Sequence, residues 1–317
     1  MSIFEKFFTP YIGPINSIPV NNWKKVFENN KISDFIPYSS YDEETKLFHN
    51  NDDSVSFSIE ILSPHTRSGK DTAGTMTEIF EKMPEDVYLS VMYYGSKNIK
   101  KLLTKYRNEH KYRGKKSIEG KEIDDSIDMI CDFMLKKTEE SCSAQMQTII
   151  KDIRIIFNVV FPSAKDKQTI KKLKTDVFNV LNANKMSPQF LDKNDILELA
   201  FEILNPQVPI DNFPFYDNTK YLNQQVISRD TKFVVDDDYV QFNDSKYWIN
   251  STLQSISEKT HIFEFGQKLG DYLSESLNSN QFNDSFIINA TIKKKPKKSA
   301  SKTVKTHSFI NTQDWGS

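Results

Sequence analysis

The chain has 317 residues, enough to bury a sizeable core and to form one large domain or two ordinary ones. Aromatic residues make up 12% of it, which excludes a chain that is disordered throughout. The formal net charge of −1 excludes a molecule that binds polyanions through its overall charge. The sequence therefore predicts a globular protein with polar loops and a disordered end.

The N-terminus does not read as a secretory signal peptide, because Glu5 and Lys6 interrupt its apolar run. The longest strongly apolar stretch, Ile153 to Phe161, is too short to span a bilayer. Two cysteines, Cys131 and Cys142, do not form a secreted disulfide framework, and we expect free thiols. We therefore expect a soluble, cytoplasmic chain that is at most peripheral to a membrane.

The first predicted elements follow an aromatic segment, residues 1–34, in which prolines exclude a long helix. A hairpin is predicted from strands at Lys46–Phe48 and Val55–Leu62, with a turn at Asn50–Asp53. Serines and apolar residues alternate in the second strand: Ser54, Val55, Ser56, Phe57, Ser58 and Ile59. This alternation predicts a strand with only one buried face.

A strand–helix–strand unit is predicted next. After a loop at Ser63–Gly74, a helix carries apolar residues on one face and ends at Pro84. Those residues are Met76, Ile79, Phe80 and Met83. A strand at Asp86–Tyr94 follows, and the order predicts a crossover packed on a sheet.

Two charged helices, Ser96–Tyr112 and Ile118–Glu139, come next, and the segment Glu109–Lys121 between them is predicted to be a mobile loop. A second unit then begins with a strand at Lys151–Phe161 and an amphipathic helix at Lys165–Leu181. A further helix, capped by Asn194 or Asp195, runs to Leu204. The repeated order of strand and helix suggests a duplicated α+β unit, although the two units share no sequence repeat.

Short β segments dominate the chain from Asp217 onward. They are predicted at Gln225–Ile227, Lys232–Val235, Tyr239–Asn243 and Lys246–Ile249. A helix at Phe263–Leu277 and a strand at Asp284–Ile292 complete the elements. The predicted fold class is α+β, with strand–helix–strand units packed against helices and a short-stranded antiparallel region. Residues 35–292 form the predicted domain, with a division into 35–215 and 216–292 left open.

Residues in a shared order and spacing carry a resemblance to a known family. They are Ile36-Pro37-Tyr38, Tyr41-Asp42, Leu47-Phe48, Phe57, Glu60, Arg154, Asp217, Leu222-Asn223 and Ser285-Phe286. In these positions the chain resembles the N-terminal region of TraC-type ATPases, the pilus-assembly motors of F-like conjugative type IV secretion systems. It departs from that pattern at Ser56, where the family often has glycine, and at Ser285, where proline is common.

The resemblance implies the N-terminal, non-motor part of such an ATPase, in a naturally short version or a fragment of a split gene. It implies no motor domain within these residues and a docking role on the cytoplasmic face of the inner membrane. The implied partners are inner-membrane subunits of the secretion channel, with a separate motor half or further copies of the chain. The aromatic segment, with Phe4, Phe7, Phe8 and Tyr11, is a candidate docking element or packs back onto its own domain.

A nucleotide motor needs a phosphate-binding loop of the form G-x-x-x-x-G-K-[ST]. The nearest candidate, His65–Thr72, lacks the first glycine and carries Asp71 where the magnesium-binding hydroxyl is required. We therefore predict a surface loop with a helix cap at Asp71 or Thr72, and no ATP hydrolysis by this chain.

The histidines and the carboxylates of the sequence form no metal-binding pattern. The histidines show no His-x-x-x-His spacing: His49, His65, His110, His261 and His307. Carboxylates at Asp236–Asp238 predict a solvated turn, since consecutive side chains diverge on an extended segment. Asp124-Asp125 and Glu139-Glu140 are predicted on solvated helical faces. The sequence thus predicts no catalytic, cofactor-binding or metal-binding residue.

The tail at residues 293–317 begins with a run that contains seven lysines and no acid before residue 306. Such a run binds nucleic acid or an anionic membrane by releasing counterions. It carries no interleaved aromatic to stack on bases, so an exposed linker is the favoured interpretation and nucleic acid is the least favoured. Two alternatives to the docking module stay open: an accessory protein that uses this tail, and an enzyme of unrecognised type.

Overall fold

A computed structural model describes residues 36–62, 69–111, 118–142, 149–162, 166–206, 208, 212–236, 239–243, 246–249 and 284–294. Five α-helices lie within these residues: α1 (Gly69–Lys82), α2 (Lys100–His110), α3 (Ile118–Lys136), α4 (Lys167–Ala183) and α5 (Lys193–Leu204). The strands up to the third helix are β1 (Tyr38–Asp42), β2 (Leu47–Asn50), β3 (Val55–Ile61) and β4 (Tyr88–Ser96). The later strands are β5 (Asp152–Phe161), β6 (Pro188–Phe190), β7 (Phe233–Val235), β8 (Tyr239–Phe242), β9 (Lys246–Ile249) and β10 (Phe286–Lys293).

The larger sheet has seven strands, in the order β1-β2-β3-β5-β4-β10, with β6 beside β3. Every strand pair in it is antiparallel. Because β3 and β4 both run antiparallel to β5, they are parallel to each other with β5 between them. The predicted crossover β3-α1-β4 is therefore confirmed.

A second crossover, β5-α4-β6, repeats the first, and its two strands flank β3. The four strands of the two crossovers stand in the order β6-β3-β5-β4, which is the ferredoxin-like arrangement of two interleaved β-α-β units. The predicted duplication of an α+β unit is thus a property of the topology. Helices α2 and α3 are inserted between the two halves, where the chain passes from β4 to β5.

Helices α1 and α4 cover one face of the sheet. Ile79 and Met83 of α1 pack with Leu173 and Val177 of α4 against the side chain of Phe57 and its neighbours. The apolar stripe predicted for α4 is buried, whereas in α1 Ile79 and Met83 are buried and Met76 and Phe80 are partly buried. An Asp166 carboxylate accepts a hydrogen bond from the Gln168 N–H and caps α4.

The other face of the sheet is covered by α5, a 3₁₀ turn at Leu222–Gln224 and the three-stranded sheet β7-β8-β9. Phe48 and Tyr94 of the large sheet share this core with Leu197, Leu222 and Phe242. Strand β10 then returns to the large sheet and pairs with β4 along eight residues. The domain bounds at 35–292, and the division near residue 215, stay predictions.

Strand β3 is buried on both faces, so the prediction of one exposed face is wrong. Ser54, Ser56 and Ser58 are 2%, 0% and 1% exposed. They fit there because they are small and hydrogen-bonded. The Ser54 hydroxyl accepts from Asn50 Nδ2 at 2.8 Å, and Ser58 Oγ donates to Asn158 Oδ1 at 3.4 Å. Alternation of serine with apolar residues here reflects two different cores, one on each side of the sheet.

Two helix starts differ from the prediction. Helix α1 begins at Gly69, so Asp71 and Thr72 lie inside it and neither is its cap. Helix α5 is capped by Asp192, whose carboxylate accepts hydrogen bonds from the N–H groups of Asn194 and Asp195. The Asp195 carboxylate accepts in turn from the Asp192 N–H at 3.0 Å and completes a capping box.

The β segment predicted at Gln225–Ile227 is also wrong, since it follows the 3₁₀ turn without joining a sheet. The Gln225 side chain explains this, because its Nε2 donates to the Asp217 carbonyl at 3.0 Å and its Oε1 accepts from the Asp217 N–H at 2.7 Å. These bonds hold the segment as a compact turn. Strands β1 and β6 were not predicted.

Several predictions concern residues that the structure does not describe. They are the aromatic segment 1–34, the helix at Phe263–Leu277 and the tail beyond residue 294. The helices that flank the predicted mobile loop end at His110 and begin at Ile118. Of the predicted loop Glu109–Lys121, Glu109 and His110 lie in α2 and Ile118–Lys121 lie in α3, whereas residues 112–117 lie outside the described part.

Candidate functional site

Charged side chains concentrate where β3, β4 and β5 meet α5. This charge cluster consists of Glu60, Tyr94, Ser96, Asp152, Arg154 and Glu202. Alternation along the strands places it on the face that packs against α5, since Ile156 and Tyr94 belong to that core while Ile59 and Phe157 belong to the opposite one. The cluster is the centre of the candidate site.

Arg154 and Glu60 form a two-pronged ion pair at the centre of the cluster. Arg154 Nε lies 2.7 Å from Glu60 Oε1, and Nη2 lies 2.9 Å from Oε2. Their side chains are 16% and 13% exposed. Burial disfavours the charge of Arg154, yet the hydrogen bonds and charge of Glu60 outweigh it and raise the pKa of the guanidinium. The guanidinium of Arg154 therefore keeps its charge, and the two hydrogen bonds fix the geometry of the pair.

Glu202 of α5 joins the helix to β4. Its carboxylate accepts hydrogen bonds from the Tyr94 hydroxyl at 2.8 Å and from the Ser96 hydroxyl. Burial raises the pKa of Glu202, although both hydrogen bonds and Arg154 oppose the shift. Burial, followed by the charge of Glu202, raises the pKa of Tyr94 well above its ordinary value. The hydroxyl groups therefore act as donors to the carboxylate.

Asp152 adds a third carboxylate around the single guanidinium. Burial raises its pKa, and Arg154 opposes that shift. Three carboxylates facing one arginine leave the cluster with excess negative charge when all of them are ionised. The described geometry ties a sheet to a helix. Chemically, it can hold α5 in place and respond to protonation.

A cleft of about 470 Å³ lies elsewhere, between the end of α1 and the start of α4. Its polar lining includes Asp86, Asp166, Thr169 and Lys293. These groups already have partners, because Asp166 caps α4 and Lys293 Nζ lies 3.3 Å from Asp86. Within the residues that the structure describes, no three acidic, histidine or cysteine side chains come close enough to hold a metal ion.

The sequence-predicted candidates are dispersed over the molecule. His49 is exposed on β2, His110 stacks on Tyr106 with ring centroids 4.2 Å apart, and the other three histidines lie outside the described residues. Asp236 lies in the turn between β7 and β8, where its N–H donates to the Tyr239 carbonyl at 2.9 Å. The prediction of free thiols is confirmed for both cysteines, of which Cys131 is buried.

The structure describes only the second half of the phosphate-loop candidate His65–Thr72. Gly69 to Thr72 form the first turn of α1, while His65 to Ser68 lie outside the described part.

The first two lysines of the predicted tail lie at the end of β10. Lys293 is the last residue of that strand, and Lys294 Nζ donates to the Phe80 and Glu81 carbonyls at 3.0 and 2.9 Å. Both lysines therefore belong to the folded domain.

Sequence reasoning named only two members of the charge cluster, Glu60 and Arg154. It missed Glu202, which stands in the otherwise apolar run of α5, ILELAFEIL. Glu198 and Glu202 are four residues apart in a helix that buries seven residues around them. Two acids on one face of a nearly buried helix were the available signal for a buried polar contact.

The fold and the charge cluster together define an α+β scaffold of ferredoxin-like topology. A family model described as TraC protein matches residues 32–313. Because this match covers most of the chain, the chain belongs to the TraC protein family, as the sequence motifs predicted. Membership assigns it to conjugative type IV secretion and pilus assembly.

No curated protein matches the chain. Among the helices of the described residues, none combines the length and the apolar character that a bilayer span requires.

Proposed function

We propose that the chain is the N-terminal docking module of a TraC-type secretion ATPase. In this proposal it binds inner-membrane subunits of the type IV secretion channel, and nucleotide hydrolysis takes place in a motor that is not part of residues 35–292. The observation that carries the proposal is the family match over residues 32–313, because it spans both sheets of an α+β fold. The sequence of these residues contains no complete phosphate-loop motif.

The construction of the domain supports a docking role. Side chains from three strands and α5 converge in the charge cluster, which fixes the relative position of the helix and the sheet. Such a scaffold presents its surfaces in a constant arrangement, and preorganised surfaces lose less conformational entropy on binding. The expected location is the cytoplasmic face of the inner membrane, with contact to a separate motor half or to further copies of the chain.

The lysine tail gives weaker support to a nucleic-acid or membrane-surface role. Two of its seven lysines are engaged by the domain, Lys293 with Asp86 and Lys294 with carbonyls at the end of α1. Salt-dependent affinity for phosphates scales with the number of lysines that neutralise them, so this engagement weakens the tail as a polyanion site. The family match over residues 32–313 therefore supports a docking role more strongly than the lysine tail supports binding to nucleic acid or a membrane surface.

The docking proposal is tested by capture from detergent-solubilised membranes of the source cells, with the tagged chain as bait. We expect mass spectrometry to recover type IV secretion inner-membrane subunits or a motor-half polypeptide. A tagged chain with Arg154→Ala and Glu202→Ala, which weakens the scaffold, serves as the matched control. Recovery of neither class by a wild-type chain shown to be folded would contradict the proposal.

The absence of hydrolysis is tested separately on the highly purified chain. We expect phosphate release from ATP at the level of a blank. The matched control is Lys70→Ala, because Lys70 is the lysine of the segment nearest to a phosphate loop. Turnover that this substitution abolishes would contradict the non-motor assignment.

A further inference from the structure

Helix α3 exposes a stripe of apolar side chains. Ile123, Ile130 and Met134 are spaced by seven and four residues and therefore share one helical face. They are 44%, 41% and 37% exposed, and the neighbouring Met129 and Phe133 are 66% and 56% exposed. We call these five residues the α3 stripe. Single exposed apolar residues are common, but five on adjoining positions of one helix indicate a binding surface.

The flank of the same helix that adjoins the stripe is already occupied. Ile127 and Cys131 of α3 pack with Leu103 of α2 and are 8%, 1% and 7% exposed. Beside this small core, Arg107 Nε lies 2.8 Å from Asp128 Oδ1 and Arg107 Nη2 lies 3.1 Å from Asp132 Oδ1. Ion pairs therefore close one side of the α2–α3 hairpin.

The other side of the hairpin is apolar on both helices. Leu102 of α2 is 49% exposed. It precedes Arg107 by five residues, about 140° around a helix, and so lies on the flank opposite the ion pairs. The α3 stripe is likewise on the side of α3 that faces away from Asp128 and Asp132. Leu102 and the α3 stripe together form one apolar surface.

The charges of α3 indicate what that surface binds. The helix carries six carboxylates and two lysines. Glu122 and Asp125 are exposed beside the stripe. Near the end of the stripe, Lys137 Nζ lies 5.4 Å from the centre of the Phe133 ring, but it also pairs with Glu140 at 2.9 Å. The surface is therefore apolar, and its border is acidic at the N-terminal end, beside Glu122 and Asp125.

An acidic border repels an anionic lipid surface, and two such borders repel each other in a second copy. A partner helix with apolar residues on one face and lysines or arginines along its edges is complementary in both respects. Such helices are common where membrane proteins meet the cytoplasm, because their cytoplasmic segments are enriched in lysine and arginine.

We propose that the α3 stripe and Leu102 form the docking surface for a basic amphipathic helix of a partner protein. This inference rests on the proposed docking function and names the surface and the partner chemistry for it. Binding buries the stripe in a helix-in-groove contact, and Glu122 and Asp125 select for positive charge.

The proposal is tested with two synthetic helical peptides of about 18 residues, the length of α3. Both carry leucines on one face; one has lysines and the other glutamates on the remaining positions. Titration of the full chain by fluorescence anisotropy is expected to give at least about tenfold tighter binding of the lysine peptide. Met129→Ser with Phe133→Ser is expected to weaken that binding about tenfold.

Two sets of variants sharpen the test. Glu122→Lys with Asp125→Lys is expected to reverse the preference between the peptides. The matched control replaces exposed apolar residues elsewhere, Leu62→Ser with Val234→Ser, which are 58% and 54% exposed in the wild type, and is expected to bind as the wild type does. Equal affinity for both peptides, or binding that Met129→Ser with Phe133→Ser leaves unchanged, would overturn the proposal.

Two other occupants of the surface, a lipid membrane and a second copy of the chain, are tested with the same stripe variant. Stripe-dependent binding to vesicles of phosphatidylcholine and phosphatidylglycerol, with no peptide preference, would assign the surface to lipid and overturn the proposal. Stripe-dependent dimerisation in sedimentation experiments, without peptide binding, would assign it to a second copy and also overturn it.

Capture from solubilised membranes distinguishes failure of the α3 surface from failure of the docking function. If the wild-type chain and Met129→Ser with Phe133→Ser recover channel subunits equally well, the α3 surface is wrong and the docking function stands. If the wild-type chain recovers no channel subunits but binds the lysine peptide through the stripe, the surface stands and the docking function falls.

Discussion

Arg154 and Glu60 are diagonal neighbours across the β3–β5 ladder. Glu60 stands opposite Ile156, and Arg154 is two residues before Ile156 on the same face of the sheet. At this separation a long arginine side chain spans to a glutamate on the adjacent strand, and here both nitrogen–oxygen distances are below 3 Å, at 2.7 and 2.9 Å. Two residues singled out by their family positions are thus one structural unit.

Removal of either partner should destabilise the domain more than removal of both. Arg154→Met leaves the Glu60 carboxylate buried without its cation and is expected to lower the free energy of unfolding by about 3 kcal/mol. Glu60→Leu together with Arg154→Met should recover part of that loss, since no isolated charge remains from the pair. Urea unfolding of the four proteins in this double-mutant cycle measures the coupling. Strictly additive losses would show that the pair is not a unit.

Glu202 should make stability depend on pH in a specific direction. Its pKa is raised by burial above the ordinary value of 4.5, so at a pH between 4.5 and the raised pKa the folded state holds a proton that the unfolded state has released. The stabilising contribution of that proton is complete below pH 4.5 and is lost as the pH rises through the raised pKa.

Glu202→Gln removes this titration and keeps a hydrogen-bonding side chain at the same position. Relative to the wild type, it should gain stability as the pH rises from about 4.5 toward 8. Urea unfolding of both proteins at several pH values measures the difference. A difference that stays constant over this range would contradict the assignment of the shift to Glu202.

Prediction from sequence succeeded where a period repeated over many residues. The core stripe of α4, with Ile170, Leu173 and Val177, and the alternation of β5 each repeat often enough to define a face. Strand β6 has only three residues and begins with Pro188, so its pairing with β3 depends on tertiary structure. Burial of the β3 serines also depends on tertiary structure, because a second core covers the face on which they lie.

The charge cluster was predictable only in part, for a comparable reason. Glu60 and Arg154 stand 94 positions apart, and Glu202 is 108 positions from Tyr94. No local pattern links residues at such separations, and the family positions named only the first pair. What α5 does show locally is a glutamate in an apolar helix, which requires a partner without identifying it.

Gly95 is required by the ring of Phe286 on the neighbouring strand. A β-carbon at Gly95 would clash with Phe286 Cε1 and stand 2.7 Å from Phe286 Cζ, and Lys151 Nζ lies 5.1 Å from the centre of the same ring. Gly95→Ala is therefore expected to push the ring aside and lower the free energy of unfolding by about 1–2 kcal/mol.

The clash at Gly95 should be relieved by shortening the opposing side chain. We expect Gly95→Ala with Phe286→Leu to be less destabilised than the sum of the two single variants, because leucine does not occupy the position of the ring atoms. Thermal unfolding gives the stabilities, and hydrogen exchange of the β10 amides reports whether the strand loosens. Unchanged protection of β10 in Gly95→Ala would argue that the ring shifts without cost.

Asp192 caps α5, whereas the sequence predicted Asn194 or Asp195 in that role. Asp192 accepts from the N–H groups of Asn194 and Asp195 at 2.7 and 3.0 Å, whereas the Asn194 side chain lies beyond the cap position. Asp192→Ala should therefore lower the free energy of unfolding by about 1 kcal/mol. Asn194→Ala, as the matched control, should change it by less than about 0.5 kcal/mol. Equal losses in the two variants, measured by urea unfolding, would mean that the capping bonds of Asp192 do not stabilise the start of α5.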